Sequence, residues 1–211
     1  MFNFILDFLF PKKCLGCDVE GNWLCDRCFS KITQQKPVLV RFAGSPLQAV
    51  LVCGEYRGVL KEAIHAFKYD GIKELAEPLS QLFIKALASS QFSFLKKGIF
   101  VPIPLFTAHQ NERGFNQSEI LVNALFRQQK IKIENSVLFK TENTQNQMKL
   151  KKAERLKNLK GAFEVKNKLQ ISGEEIVLVD DVMTTGATLF ECAKVLHRAG
   201  AKRVFGLVLA R

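Results

Sequence analysis

The sequence predicts an α/β fold built around a parallel β-sheet, and three observations support that prediction. Hydrophobic residues account for 47% of the chain, which at 211 residues is enough to bury a full core. Short apolar runs, often β-branched, alternate with longer segments in which apolar residues recur at helical spacing. Residues 176–179 are four consecutive apolar residues bounded by polar ones, as in a strand covered by helices on both faces.

Strands and helices are predicted to alternate from about residue 37 onwards. Pro102 and Pro104 end one strand at what should be the ligand-binding edge of the sheet. The predicted strands comprise residues 49–56, 98–103, 136–140, 163–165, 176–179 and 204–209. The predicted helices comprise residues 58–69, 75–88, 119–129 and a segment from near Ala187 to near Gly200.

Two domains are predicted, a small module in residues 1–36 and a larger α/β domain in residues 37–211. Residues 1–10 are apolar, but they contain Asp7, lack a basic n-region and are too short to span a bilayer. We expect this segment to pack on the small module, with a weak contact to a membrane surface as the alternative. No stable membrane insertion is expected. With no export signal recognised, we expect a cytoplasmic protein with reduced cysteines.

Four cysteines form two C-x-x-C pairs, Cys14 with Cys17 and Cys25 with Cys28. Each pair can place two thiolates on one small turn, and Gly16 eases the first of these turns. Two such turns facing each other make a closed tetrahedral site, for which zinc is the expected structural metal. Iron–sulfur or redox chemistry is the less favoured alternative, because the surrounding sequence lacks a thioredoxin-like βαβ pattern. A module this short has too little core of its own, so the metal would supply its stability.

The predicted central strand leads directly into polar residues. Two adjacent carboxylates, Asp180 and Asp181, cannot enter a dry core unpaired, so the strand should end at Asp180, at the carboxyl edge of the sheet. The next polar run supplies hydroxyls, a glycine for close backbone approach and the N–H groups of a helix start. This run consists of Thr184, Thr185, Gly186, Ala187 and Thr188.

These two groups of residues suit the two halves of a phosphorylated sugar. Carboxylates accept hydrogen bonds from a ribose diol, whereas backbone N–H groups and threonine hydroxyls donate to a phosphate. The sequence therefore predicts a site for a ribose that carries a 5-phosphate. The alternative is an ordinary strand, loop and helix with a solvated pair of aspartates.

The positive charge of the chain is concentrated in one region. The formal net charge is +11, which favours acidic partners such as nucleic acid, nucleotides or anionic lipid. Residues 127–168 contain twelve Lys or Arg residues and four Glu residues. The polar segment 141–160 within this region is interpreted as a functional loop or a solvated face. A purely solubilising role for the lysines remains the alternative.

Several further motifs occur in order along the chain. They are an N-terminal Phe-Pro before the four cysteines, Phe67-Lys68-Tyr69, Val101-Pro102-Ile103-Pro104, Arg113-Gly114-Phe115-Asn116-Gln117, Gln147 with Arg155 and Asn158, and Gly161-Ala162-Phe163. Residues 176–188 closely resemble the phosphoribosyl-pyrophosphate signature of type I phosphoribosyltransferases. Taken together, the motifs resemble the ComF family over essentially the whole chain. These bacterial proteins are related to type I phosphoribosyltransferases, and the family is associated with handling imported single-stranded DNA in natural transformation.

The resemblance implies a type I phosphoribosyltransferase-like domain with an N-terminal zinc ribbon. It also implies that Asp180 and Asp181 hold the ribose hydroxyls of phosphoribosyl pyrophosphate, with Mg²⁺ on the pyrophosphate, and that residues 184–188 hold the 5-phosphate. Cations near a pyrophosphate or a nucleic-acid backbone would be Lys68, Arg113, Lys149, Lys151, Lys152 and Arg155.

Two functional hypotheses follow from the motifs. The first is a competence-associated protein that handles internalised single-stranded DNA, with other DNA-uptake proteins such as a helicase among its partners. The second is an active phosphoribosyltransferase whose acceptor base the sequence does not identify. A regulator that uses the site only as a sensor is a third, less favoured hypothesis. A hydrolytic triad is unsupported, because His65, His109 and His197 stand without an evident Ser or Cys nucleophile.

Overall fold

The computed structural model describes residues 11–106, 114–141 and 159–211. The strands of this part of the chain are β1 (Val38–Arg41), β2 (Leu47–Gly54), β3 (Ile99–Pro102), β4 (Lys132–Ile133), β5 (Leu138–Lys140), β6 (Phe163–Val165), β7 (Glu175–Val182) and β8 (Arg203–Ala210). Six of them form one sheet in the order β1-β2-β8-β7-β3-β4, and β5 pairs with β6 in a separate antiparallel sheet. Within the large sheet, neighbouring strands are parallel except for the antiparallel pair β1–β2. The predicted α/β fold with a mostly parallel sheet is confirmed.

Five α-helices occur in the described residues, and they lie before β1, between β2 and β3, between β3 and β4, and between β7 and β8. They are α1 (Asp26–Thr33), α2 (Gly58–Tyr69), α3 (Ala76–Ala88), α4 (Gln117–Gln128) and α5 (Ala187–Arg198). The bounds of α2 agree with the prediction. Helix α4 begins two residues earlier than predicted, because the Asn116 side chain caps its N-terminus by accepting hydrogen bonds from the N–H groups of Ser118 and Glu119. Among the described residues, no helix has both the length and the apolar character needed to cross a bilayer.

The central strand β7 is buried on both faces, as its sequence predicts. Val177 and Val179 belong to the apolar cluster on the face covered by α2, α3 and α4. Ile176 and Leu178 belong to the cluster on the opposite face, with α5 and the β5–β6 pair. Alternate side chains of a strand point to opposite faces, so one apolar run supplies both layers of the core.

The four-cysteine module packs on the first of these faces. Cys14 and Cys28 are fully buried and belong to the same apolar cluster as Phe67 of α2. A Cβ atom on Gly16 would lie 2.6 Å from Val59 Cγ2 and 2.9 Å from Cys28 Sγ, so glycine is needed here for close approach to α2. The sequence suggested a turn-forming role for Gly16, and the structure adds this packing reason. Residues 1–10, with their predicted packing, lie outside the described residues.

The architecture brings the ends of several strands together. Strands β2, β8, β7 and β3 are mutually parallel, so their carboxyl ends meet at one edge of the sheet. The N-termini of α4 and α5 and the C-terminal end of α2 also reach this edge, because their residues contact the carboxyl end of β7 or the loop that follows it. The site predicted at Asp180 and Asp181 lies there.

Candidate functional site

Strand β7 does not end at Asp180 as predicted. It continues to Val182, with Asp180 opposite Val208 and Val182 opposite Ala210 of β8. The strand was predicted to end at Asp180 because two carboxylates inside the sheet were expected to lack partners. In the folded chain both carboxylates have hydrogen-bond partners. Asp180 Oδ1 accepts a hydrogen bond from the Asp181 N–H at 2.9 Å, and Asp181 Oδ1 accepts one from the Val182 N–H at 2.7 Å. The strand can therefore carry both carboxylates to its end.

Asp181 forms an ion pair with Lys68 in the last turn of α2. Lys68 Nζ lies 2.7 Å from Asp181 Oδ2, and the two side chains are only 23% and 6% exposed. Burial by itself lowers the pKa of Lys68, but the carboxylates of Asp181 and Asp180 outweigh that effect and raise it. Lys68 is therefore a fixed cation beside the acidic pair.

Asp180 is the second carboxylate of the site, and its environment is different. Its Oδ1 accepts a hydrogen bond from Ser118 Oγ at 3.1 Å, which links β7 to the first turn of α4. Burial, together with repulsion from the Asp181 carboxylate, raises the pKa of Asp180 to about 7, although Lys68 and the hydrogen bonds oppose this rise. Asp180 therefore changes its charge close to neutral pH.

The loop after β7 turns sharply into α5. Gly186 is the N-cap of α5 with φ of 78°, and a Cβ atom there would lie 3.1 Å from the ring of Phe190. As a glycine, it has no side chain to cap the helix. Thr185 Oγ1 accepts a hydrogen bond from the Ala187 N–H at 3.3 Å, while Thr184 is exposed and Thr188 is partly exposed. The predicted helix start at Ala187 is confirmed, and the loop presents hydroxyls and a helix N-terminus at the carboxyl edge.

The structure brings together part of the predicted set of residues. Asp180, Asp181, Lys68 and the loop 184–188 meet at one edge of the sheet. The other predicted cations lie outside the described residues, and they are Arg113, Lys149, Lys151, Lys152 and Arg155. Asn116, from the motif 113–117, caps the N-terminus of α4, and its Nδ2 also donates a hydrogen bond to the Ile103 carbonyl at 3.1 Å.

Ser118 and Tyr56 are neighbours of the site that sequence reasoning missed. The hydroxyl of Ser118 reaches Asp180, and the phenol of Tyr56 interacts electrostatically with Lys68 and Asp181. Ser118 directly follows the motif 113–117, but no spacing rule connects it with Asp180, 62 residues away. Tyr56 follows β2, so its position could be found only once β2 was known to share the carboxyl edge.

The four cysteines of the N-terminal module form a compact cluster. The Sγ atoms of Cys14, Cys17, Cys25 and Cys28 all lie within 4.8 Å of one another, and those of Cys17 and Cys25 are 3.6 Å apart. Four Zn–S bonds of about 2.3 Å in a tetrahedron separate neighbouring sulfurs by about 3.8 Å. The cluster can therefore hold a metal ion such as zinc. None of the six cysteines of the chain forms a disulfide.

The thiols of this cluster differ in acidity. A backbone hydrogen bond from Val19 and the side chain of Arg27 lower the pKa of Cys17 to about 6, despite its partial burial. Burial and the neighbouring sulfurs raise the pKa of Cys28 to about 12. Four thiolates this close repel one another, so a cation among them is required before all four can ionise.

Comparison with known proteins agrees with this geometry. A family model described as "Phosphoribosyl transferase domain" matches residues 116–211, which include α4, β7, the loop and α5. The DNA utilization protein YhgH of Escherichia coli (strain K12) is 33% identical over 182 residues, covering 85% of this chain and 74% of that protein. Competence protein F of Haemophilus influenzae is 30% identical over 224 residues, covering 96% and 98%. Competence protein ComFC of Bacillus subtilis (strain 168) is 36% identical over 148 residues, covering 69% and 56%.

The sheet and the family match together define a phosphoribosyltransferase-like protein of the type I fold. The Escherichia coli and Haemophilus influenzae proteins are each at least 30% identical to this chain, and each match covers most of this chain and of the relative. The chain therefore belongs to the ComF family. The family resemblance inferred from the motifs is confirmed.

The raised pKa of Asp180 predicts a specific pH dependence of stability. The pKa of Asp180 is about 7 in the folded protein and 3.8 ordinarily, so the folded state holds the proton of this carboxyl more tightly than the unfolded state does. This contribution to the free energy of unfolding is complete below about pH 4 and is lost as the pH rises to about 7. Asp180→Asn removes this loss. The free energy of unfolding of the variant, relative to wild type, should therefore increase by up to about 1.4 kcal/mol per pH unit over that range.

Urea unfolding at half-unit intervals from pH 4 to 8 measures this difference. The matched control is Asp70→Asn, which alters an exposed carboxylate directly after α2. Parallel pH profiles for Asp180→Asn and wild type would show that the pKa of Asp180 is not raised.

Proposed function

We propose that the chain binds phosphoribosyl pyrophosphate at the carboxyl edge of its sheet and handles internalised single-stranded DNA in natural transformation. The observation that carries the first part is the meeting of Asp180, Asp181 and Lys68 with the loop 184–188. The second part is supported by the basic region of the sequence and by relatives named as competence and DNA utilization proteins.

In the proposed complex, each group of the site has one task. The carboxylates of Asp180 and Asp181 accept hydrogen bonds from the ribose hydroxyls, and the loop 184–188 donates to the 5-phosphate. Lys68 has three N–H donors, so it can keep its ion pair with Asp181 and still face an anionic pyrophosphate. Mg²⁺ is the usual partner of such a pyrophosphate, and when bound with it would lower its negative charge.

Transfer of the phosphoribosyl group to a base is the second candidate function. The match of residues 116–211 to the phosphoribosyl transferase domain favours it. The contribution of the chain would be to orient the reactants and exclude water from an oxocarbenium-like transition state. Neither role requires a dedicated nucleophile.

We also propose that the four-cysteine cluster holds zinc as a structural ion. Four sulfur ligands leave no open coordination position, which is typical of structural sites and not of catalytic ones. The cluster packs directly against α2, which carries Lys68 in its last turn. Zinc would thereby stabilise the module and support one wall of the ligand site.

Binding of phosphoribosyl pyrophosphate should depend on both carboxylates. Asp180→Asn and Asp181→Asn each replace a charged acceptor, so each variant should bind at least about tenfold more weakly, as expected for lost hydrogen bonds to a charged group. Calorimetric titration at pH 8 with excess Mg²⁺ measures the affinity, and Asp70→Asn serves as the control. Wild-type affinity in both variants would refute the proposed ligand site.

A second assay on the same protein preparation distinguishes binding of phosphoribosyl pyrophosphate from transfer of its phosphoribosyl group. Pyrophosphate release is measured with a broad panel of purine and pyrimidine bases under saturating phosphoribosyl pyrophosphate. Release with one base, lost in Asp180→Asn, would establish the second candidate function. Binding without release across the panel would leave the ligand as an effector and reject the transferase.

Single-stranded DNA binding should be dominated by phosphate contacts of the basic region. The triple charge reversal Lys149→Glu, Lys151→Glu and Lys152→Glu should weaken binding and reduce the slope of log K against log salt by about 2, since each phosphate contact contributes about 0.7. The control reverses three exposed lysines elsewhere, Lys31, Lys36 and Lys97, with the same change in net charge. Fluorescence anisotropy of a labelled oligonucleotide provides the measurement, and equal losses in both triple variants would contradict a localised DNA site.

Purified protein should contain one zinc ion per chain. Cys14→Ser should lower the zinc content and reduce the thermal unfolding midpoint, because Cys14 is both a ligand candidate and part of the core. Cys53→Ala, which changes a buried thiol outside the cluster, should retain the metal. Elemental analysis by mass spectrometry measures the content, and well-folded wild-type protein with much less than one zinc per chain would exclude the structural role.

A further inference from the structure

Strand β1 forms one edge of the large sheet, and in the described part of the chain it pairs only with β2. It is antiparallel to β2, with Val38 opposite Val52 and Arg41 opposite Ala49. The strand at the other edge, β4, comprises only two residues, whereas β1 comprises four. Very short edge strands resist pairing with another chain, so β1 is the edge that offers a template for an added strand.

The ladder between β1 and β2 determines which backbone groups of β1 point outwards. The Phe42 N–H, directly after β1, donates to the Gln48 carbonyl of β2 at 3.0 Å. These two residues are opposite each other in the register, and hydrogen-bonded pairs of an antiparallel ladder alternate with pairs that are not hydrogen-bonded. The two valines of β1 therefore bond to β2, and the N–H and C=O groups of Leu39 and Arg41 point away from the sheet.

The side chains of β1 anchor the strand on both faces of the sheet. Leu39 packs against the apolar cluster that includes residues of α2 and α3. Val40 and Phe42 pack against the cluster on the opposite face, where the Phe42 and Phe190 ring centroids are 4.9 Å apart. An edge that is already held in place loses little conformational freedom when another strand binds beside it.

The residues around this edge carry positive charge. Residues 31–54 contain no Asp or Glu and three basic residues, which are Lys31, Lys36 and Arg41. Lys36 and Arg41 are exposed, and within the described ranges neither of them forms an ion pair. The carboxylate that follows this run, Glu55, lies 2.6 Å from Arg57 Nε and is therefore already paired. The edge thus has cations available for an acidic partner.

These charges determine which kind of strand can pair with β1. Charged side chains at a sheet edge guard against indiscriminate association, and here they repel basic strands and attract acidic ones. Val38, which is 57% exposed, lies on the face of the sheet opposite to Arg41, because side chains alternate along a strand. An added strand would therefore place one side chain beside Arg41 and another, on the other face, beside the apolar Val38.

We propose that β1 is a docking edge for an extended segment of a partner protein in which acidic and apolar residues alternate. Hydrogen bonds to the backbone of Leu39 and Arg41 would supply affinity, and the side chains beside Arg41 and Val38 would supply specificity.

The backbone of this edge favours a peptide over the other candidate occupants. A peptide strand matches alternating N–H and C=O groups, whereas the outward C=O groups would repel the phosphates of a nucleic acid. A second copy of the chain would bring two basic edges together. Strands β2 and β8 separate β1 from Asp180 and Asp181 on β7, so this inference is independent of the proposed ligand site.

A short synthetic peptide of alternating glutamate and valine is the probe, and its counterpart of lysine and valine is the charge control. Fluorescence anisotropy of the labelled peptides should show that the acidic peptide binds and the basic one does not. Amide hydrogen exchange followed by NMR should slow at Leu39 and Arg41 when the acidic peptide is bound, because their outward N–H groups then have a partner. Equal binding of both peptides, or binding without this protection, would overturn the proposal.

Two substitutions of Arg41 separate its charge from its backbone N–H. Arg41→Gln should weaken acidic-peptide binding by about 1.4-fold to about 5-fold, as expected for one cross-strand charge pair. Arg41→Pro also removes an outward N–H at a position where an edge strand tolerates proline, so binding should weaken by a further factor of about 2 to about 12. Lys132→Gln, which removes an exposed charge on the other edge strand, is the matched control and should bind as wild type does.

Thermal unfolding of each variant shows whether it is folded, and if Arg41→Pro is not, Arg41→Gln and the exchange experiment still decide the question. Equal affinities of the two folded Arg41 variants would show that charge alone acts here, as it would for a nucleic acid, and would overturn peptide docking. A wild-type dimer in sedimentation that Arg41→Pro converts to a monomer would identify a second copy as the occupant and would overturn it as well. Failure of the acidic peptide to bind wild-type protein has the same consequence.

Discussion

The ion pair between Lys68 and Asp181 is the interaction on which the candidate site depends. Removing one partner of a buried pair leaves an uncompensated charge, which costs about 3–5 kcal/mol. The pair also positions the surrounding elements, because it ties the last turn of α2 to the end of β7. Gln117 Nε2 donates to the Lys68 carbonyl at 3.4 Å, so the start of α4 is attached to the same residue. Three elements thus meet at one charged contact.

The four-cysteine module is connected to this contact through α2. Gly16 approaches Val59 in the first turn of α2, and Lys68 lies in the last turn of the same helix. A rigid helix of 12 residues joins the two ends over about 18 Å. The module therefore forms part of the support of the site, as well as packing on the core that α2 shares with the sheet.

The geometry of the site indicates which ligand the chain can bind more directly than which reaction it can catalyse. Asp180 and Asp181 lie on one strand but in different environments, since Asp181 has a cation beside it and Asp180 has a hydroxyl. This asymmetry places the charge change of Asp180 near neutral pH. The state of the acidic pair therefore depends on pH and on any ligand that donates hydrogen bonds to it, whether or not a transfer reaction follows.

The sequence by itself determined the features that depend on neighbouring residues. The apolar run 176–179, the glycine turn into α5 and the two C-x-x-C pairs are local patterns, and each lies where its pattern predicts. The tertiary structure decided the features that depend on distant partners. Strand β7 continues past Asp180 because β8, Ser118 and Lys68 supply hydrogen bonds and charge from elsewhere in the chain.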